Sequence, residues 1–238
     1  GLELALDAEP LAYRDLRSLF PALDREGNVA LKLRAAGKSD GASLRLDARF
    51  SAGGSALLTG DLVAGRTLIN LEGQAGGLDV VAGGWLRLFD SVPSCDLTAR
   101  VRRVRGDSSL AWIDRLLGGD GANVALRVWG RGVDSHRADL RALATLEPGR
   151  SPAGLLDSGT VEAHLAGRMA DVRGRVGATS GLITFTGAVT LDSEPEYRVE
   201  RGTLQHVDLS ALLGDTSASD LNGTFSLAGR GTSKATAR

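Results

Sequence analysis

The residues most able to do chemistry in this chain are three histidines and one cysteine. His136, His164 and His206 lie 28 and 42 residues apart, which is not a spacing that places two imidazoles on one metal ion. Cys95 is the single cysteine, so neither an internal disulfide nor a cysteine-based zinc site is available. These residues predict no metal centre, and we expect the histidines to lie on the surface or on edge strands.

Three short motifs have the residue types of functional sites but lack the surroundings that such chemistry needs. Gly106-Asp107-Ser108-Ser109 contains a serine without the strand–turn–helix setting of a hydrolase nucleophile, and Asp107 or Ser108 fits a helix N-cap better. Segment 118–123 has too few spaced carboxylates for calcium, and the basic run 101–105 is typical of a solvated strand end. With no phosphate-binding loop either, the sequence predicts no enzyme and no cofactor.

The composition excludes further classes of protein. The 238 residues carry a formal net charge of −1, whereas a nucleic-acid-binding domain carries a basic excess. A hydrophobic fraction of 42% is too high for a disordered chain, and no apolar run is long enough to span a membrane as a helix. Glycine is abundant, with 32 residues, and aromatic residues make up only 4%. The fold must therefore accommodate many glycines and has few aromatic rings to fill a core.

Strict alternation of apolar and polar residues dominates the chain and predicts strands with one apolar and one solvated face. Short turns rich in glycine, proline and serine separate these segments, which favours an antiparallel meander. The predicted strands are 28–35, 43–50, 96–104, 124–129, 137–146, 161–165, 183–191, 197–204 and 224–228.

Three segments interrupt the alternation with apolar residues at the spacing of one helix face, namely 15–20, 112–117 and 208–213. Each predicts a two-turn helix, followed by an asparagine, a strand and a glycine. These markers recur about every 96 residues, as Asn28, Asn123 and Asn222, then Gly37, Gly132 and Gly231. The spacing predicts one elongated repeat segment over 1–238, with modules at approximately 11–105, 106–205 and 206–238, the third truncated.

The apolar positions of the predicted strands form the candidate binding surface. They are aliphatic with few rings: Leu31, Leu33, Leu44, Leu46, Phe50, Leu126, Val128, Leu140, Val161, Leu165, Ile183, Phe185, Val189, Val199, Phe225 and Leu227. Such a face must be covered, and small residues such as Ala99 and Ala144 fit either a curved sheet with an apolar channel or two closely packed sheets. Glycines inside strands favour bends and bulges, and both architectures stay open at this point.

The repeat resembles the TamB/AsmA-like proteins of the Gram-negative envelope. The likeness is carried by Asp208–Gly231, in which Asp-Leu-Ser-Ala-Leu-Leu leads into Leu-Asn-Gly-Thr-Phe-Ser-Leu-Ala-Gly-Arg-Gly. Segment 112–132 matches this motif more loosely, and segment 15–37 keeps only the helical pattern, the asparagine and the final glycine. The resemblance implies an all-β fold, an elongated, curved, mostly antiparallel sheet rolled into a U-shaped groove (a β-taco), with a short helix per repeat. A β-sandwich is the alternative.

The resemblance also implies a function. It implies that an apolar groove binds and conducts phospholipid, or another acyl-chain lipid, between the inner and outer membranes, with no bond chemistry. The implied setting is the periplasm, in a longer protein anchored to the inner membrane by a segment outside this sequence. The implied partners are neighbouring repeats and an outer-membrane barrel protein, and no nucleic acid. The alternative function is a structural or adhesive β-repeat, or a scaffold for outer-membrane protein assembly, with no lipid ligand.

Overall fold

The computed structural model describes fourteen β-strands. The described residues are 2–12, 28–38, 41–51, 54–75, 77–103, 122–132, 137–148, 156–178, 181–191, 195–208 and 219–231. The strands are β1 (Leu2–Ala12), β2 (Asn28–Lys38), β3 (Gly41–Phe50), β4 (Gly54–Val63), β5 (Arg66–Ala75), β6 (Leu78–Arg87), β7 (Ser94–Arg103), β8 (Asn123–Arg131), β9 (Asp139–Glu147), β10 (Leu156–Ala166), β11 (Met169–Ala178), β12 (Gly181–Thr190), β13 (Glu196–Val207) and β14 (Leu221–Arg230).

All fourteen strands belong to one sheet, and each pairs antiparallel with its neighbours in sequence. The sheet is open, because β1 and β14 are its two edges. At about 4.8 Å between neighbouring strands, the sheet extends roughly 60 Å from edge to edge. The predicted all-β, elongated, curved antiparallel sheet is therefore confirmed, and the described strands are not divided between the two sheets of a sandwich. The predicted short helices lie outside the described residues, apart from Asp208, which is not helical.

The two margins formed by the strand ends differ. We call the margin where β1 ends and β2 begins the lower margin, and the opposite one the upper margin. The strand ends that border segments 13–27, 104–121 and 209–218 all lie at the lower margin. Most of the buried side chains lie near this margin, namely Val29, Ala48, Arg103, Ala122, Ala178 and Val207, whereas Ala138 lies at the upper one. The core is therefore small and lies mainly at the lower margin.

Six strands, β2–β7, lie between the first two of these segments, and six more, β8–β13, lie before the third. The same hydrogen bond recurs at equivalent places. The N–H of Gly132 donates to the carbonyl of Pro93 at 2.7 Å, and that of Gly231 donates to Pro195 at 2.8 Å. Both glycines have φ near +78°, whereas Gly37 continues within β2. Two of the three glycine markers therefore occupy the same local geometry.

Bulges bend several strands. The register shifts in β1 between Ala8 and Leu11, and in β10 between Leu156 and Ser158. It shifts again between β12 and β13, and twice between β13 and β14. An extra residue on one strand of a pair bends that strand and increases its twist. These irregularities account for the curvature of a sheet whose faces otherwise alternate regularly.

Candidate functional site

The register of the sheet separates an apolar face from a polar face, since residues directly opposite each other in neighbouring strands share a face. We follow the pairs outward from Val29, which faces Phe50, to define the apolar face. All sixteen candidate residues lie on it: Leu31, Leu33, Leu44, Leu46, Phe50, Leu126, Val128, Leu140, Val161, Leu165, Ile183, Phe185, Val189, Val199, Phe225 and Leu227. The structure brings them together on one surface, and their contact with lipid stays a prediction.

The middle of the apolar face contains no polar side chain. Three rows of directly paired residues cross all fourteen strands there and consist only of Gly, Ala, Val, Leu, Ile and Phe. The central row is Leu6, Leu33, Leu46, Leu58, Leu71, Ala82, Ala99, Leu126, Ala144, Val161, Gly174, Phe185, Gly202 and Phe225. An apolar track therefore runs the length of the sheet, perpendicular to its strands.

In part of the sheet the apolar face is the more sheltered of the two, although no second sheet of described residues packs on it. In β2, β10 and β11, side chains on the apolar face are less exposed than their neighbours on the polar face. Leu126 in mid-sheet is nevertheless 39% exposed, and Leu6 and Leu227 on the edge strands are each 54% exposed. Soluble proteins seldom leave such a contiguous apolar surface without a partner.

Aromatic rings on the apolar face lie over glycines of the neighbouring strand. Phe185 is directly opposite Gly174, and Phe225 is opposite Gly202. A Cβ added at either glycine would overlap the facing ring, and the same is true of Gly229 beneath Tyr197. Pairing a ring with a glycine lets the ring lie across the sheet instead of standing on it. Glycines inside strands were predicted to favour bends, and the structure adds that Gly174, Gly202 and Gly229 accommodate rings.

Polar groups on the apolar face are confined to its margins. Thr67, Cys95 and Tyr197 lie in the next row of paired residues toward the upper margin, which we call the upper row. Arg103, only 2% exposed, lies at the lower end of β7 opposite Leu78. Burial raises the pKa of the Cys95 thiol, which therefore stays protonated at neutral pH. Side chains that hydrogen-bond or carry charge thus border the apolar track without interrupting it.

The polar face is covered by ion pairs between neighbouring strands. Arg127 donates two hydrogen bonds to Asp96, at 2.9 and 3.0 Å, which lowers the pKa of that carboxyl. Arg173 pairs with Glu162 through its Nε at 2.8 Å. These groups are partly or largely exposed, so water screens each pair and it contributes little to the free energy of unfolding. Their main effect is to keep this face solvated.

A cavity of about 690 Å³ opens on the polar face. Its lining includes Trp129, Glu162 and His164, and Glu162 is paired with Arg173. His164 Nε2 lies 3.0 Å from Asp139, and hydrogen bonding to His164 lowers the pKa of that aspartate. Within the described ranges, no group of three His, Cys, Asp or Glu side chains is placed to hold a metal ion. The cavity is therefore a gap between salt-bridged side chains on the solvated face.

Comparisons with protein-family models, with curated proteins and with solved structures give no match to this chain. Within the part of the chain that the structure describes, no helix has both the length and the apolar character needed to span a bilayer. The apolar face is thus the strongest candidate site, and its interpretation depends on its own geometry.

Five strands that contribute to the apolar face were not predicted as strands: β1, β4, β5, β6 and β11. They add residues in phase with the candidate set, among them Leu58, Leu71, Val80 and Val172. The sequence did contain a signal for these strands, namely apolar residues two positions apart and flanking turns that contain glycine. That signal was weakened because β4, β5 and β6 also carry apolar residues on the polar face.

Proposed function

We propose that the apolar face binds the acyl chains of phospholipids and conducts them along the sheet, without bond chemistry. The observation that supports this proposal is the apolar track across fourteen strands, which no described sheet covers. Exposed apolar surface of this extent fits a ligand that is itself extended and apolar. Each CH₂ group transferred from water to such a surface contributes about 0.8 kcal/mol.

The uniformity of the track suits movement as well as binding. Its side chains offer no hydrogen bond or charge on which a headgroup could be trapped, and neighbouring rows present similar side chains. An acyl chain displaced by one strand spacing, about 4.8 Å, exchanges one set of aliphatic contacts for another. The free energy of the bound chain then changes little along the track, and the headgroup stays in water at a margin.

The setting of this function is also a proposal, supported by the resemblance to TamB/AsmA-like envelope proteins. In that setting the chain is part of a longer periplasmic protein anchored to the inner membrane, and its neighbouring repeats continue the track. Phospholipid then moves between the inner and outer membranes, with an outer-membrane barrel protein as a further partner. Nucleic acid is not a partner, in keeping with the formal net charge of −1.

Two adjacent aliphatic residues on opposite faces provide a direct test. Ile183 lies on the apolar face opposite Val176 and Leu204, whereas Leu182 lies on the polar face opposite Gly177 and Gln205. Both are partly buried. A photocrosslinking amino acid at Ile183 should label phospholipid in cells, and the same probe at Leu182 should not. Equal labelling at both positions, or none at Ile183, contradicts the proposal and favours a β-repeat without a lipid ligand.

A further inference from the structure

Five exposed apolar side chains and the partly buried Trp85 form a group at the upper margin, outside the apolar face. We call Val63, Leu68, Trp85, Leu88, Phe89 and Val92 the rim cluster. Phe89 is 78% exposed, Val63 57% and Leu88 47%, and Leu68 is directly opposite Trp85 on the polar face. Single exposed apolar residues are ordinary, but a group on three neighbouring strands and one connection marks an interaction site.

The connection that carries Phe89 is held at both ends. Arg87 lies 3.8 Å from Asp90, and the carbonyl of Pro93 accepts the hydrogen bond from Gly132 described above. The equivalent connection one module later, 191–195, reads Leu-Asp-Ser-Glu-Pro where this one reads Leu-Phe-Asp-Ser-Val-Pro. The repeated geometry therefore does not require an exposed phenylalanine and valine, and their presence is particular to this connection.

The charges around the rim cluster balance. Arg66 lies over the ring of Trp85 at 4.8 Å and Arg87 at 5.8 Å, while Asp61 is opposite Leu68 and Asp90 pairs with Arg87. Asp96, which is opposite Trp85, pairs with Arg127. Aromatic and aliphatic side chains flanked by arginine are typical of the membrane–water interface. Because these three cations and three anions balance, attraction to an anionic surface is not the main contribution, and apolar insertion is.

The rim cluster continues the apolar face across the upper margin. Leu62 and Leu86 lie in the upper row of the apolar face, on the strands that carry Val63 and Trp85. The one polar group in that row between them is the hydroxyl of Thr67. The outermost positions of this margin include Arg66 and Arg87, so the apolar route from the rim cluster to the apolar track runs over Val63 and Leu62.

We propose that the rim cluster inserts into the surface of a lipid bilayer and is the place where acyl chains pass between that bilayer and the apolar face. The second half of this inference rests on the proposed function, and the first half stands on the rim cluster alone. The exposed area of Phe89, with Leu88 and Val92, is the part that enters the bilayer.

The test is co-flotation of the whole chain with vesicles of neutral phosphatidylcholine. The double variant Phe89→Ser, Val92→Ser should weaken binding about tenfold or more, since each change removes an exposed apolar side chain. The matched control is Met169→Ser, Leu191→Ser, which removes two side chains of the same margin that are 53% and 52% exposed. The control should bind as the parent chain does, and binding should persist at high salt because it is apolar in origin.

Equal loss in both double variants, or unchanged binding in the rim variant, contradicts the inference. So does binding that requires anionic lipid and disappears with salt, or a rim cluster that binds protein instead of vesicles. Crosslinking at Ile183 separates the inference from the proposed function. Vesicle binding without lipid labelling at Ile183 supports insertion of the rim cluster and contradicts lipid conduction. Lipid labelling at Ile183 without vesicle binding supports lipid conduction and contradicts insertion of the rim cluster.

Discussion

Replacing Leu126 by aspartate is expected to reduce the phospholipid bound per protein at least about tenfold. Leu126 occupies the central row of the apolar face, between Ala99 and Ala144, and is 39% exposed. A carboxylate there must lose its water where an acyl chain crosses the row, and desolvating an unpaired charge is strongly unfavourable. The bound lipid is measured by a phosphorus assay and by lipid mass spectrometry on protein purified without detergent.

The neighbouring residue provides the matched control, because Ala125 lies on the polar face between Arg100 and Thr145. Ala125→Asp places the same charge beside an arginine and should leave the bound phospholipid unchanged. Leu126→Asn, polar but uncharged, should give an intermediate loss. Unchanged far-UV circular dichroism in all three variants separates loss of lipid from loss of the sheet. Equal lipid in the Leu126→Asp and Ala125→Asp proteins contradicts the proposed binding face.

Gly130→Ala is expected to lower the free energy of unfolding by about 3 kcal/mol, because it combines a strained backbone with a steric overlap. Gly130 has φ +142° within β8, a conformation that residues with a side chain rarely adopt. A Cβ at this position would also overlap the backbone carbonyl of Asp139 in the next strand. Gly84 in β6 repeats this arrangement, with φ +147° against Asp96.

Gly223→Ala is the control for that change. A Cβ at Gly223 meets nothing within 4 Å, so the substitution should change the free energy of unfolding by less than about 1 kcal/mol, in the stabilising direction. The measurement is the urea midpoint followed by circular dichroism. Equal midpoints for the Gly130→Ala and Gly223→Ala proteins would show that β8 tolerates a side chain and that the sheet does not depend on glycine there.

The faces of the sheet could be predicted from sequence because the period of a strand is two. Each candidate residue was placed in phase with its own strand, for example Val161 with Leu165. Short turns then join neighbouring strands so that apolar residues meet apolar residues. Leu140 pairs with Leu165, and Leu33 with Leu46, for this reason. Alternation and turn length together were therefore sufficient to predict which residues lie on the apolar face.

The strands β4, β5 and β6 could not be predicted in the same way, for a reason that bears on function. Leu57, Leu68 and Val81 place apolar side chains on the polar face, which breaks the alternation. Sequence rules for predicting strands tend to fail where residues serve a function as well as the fold. Leu68 belongs to the rim cluster, so part of the departure from alternation coincides with the exposed apolar group, whereas Leu57 and Val81 lie opposite Glu72, outside that cluster.

The pairing of rings with glycines could not be read from sequence either. Phe185 and Gly174 are eleven residues apart, and only the register of β11 against β12 places one over the other. The sequence alone indicated an apolar face that is aliphatic with few rings. The register shows in addition that the rings on β12, β13 and β14 lie across glycines of the neighbouring strand.

The central claim is that the apolar face holds lipid, and the most direct measurement is the lipid content of the native protein. Protein should be purified without detergent from cells, extracted with organic solvent and analysed by mass spectrometry against a control protein of similar size. We expect the molar amount of phospholipid to be close to that of the protein or above it. The acyl-chain composition of this phospholipid should be that of the cell's membranes. Protein that is folded and reproducibly free of phospholipid would contradict the claim and favour a β-repeat without a lipid ligand.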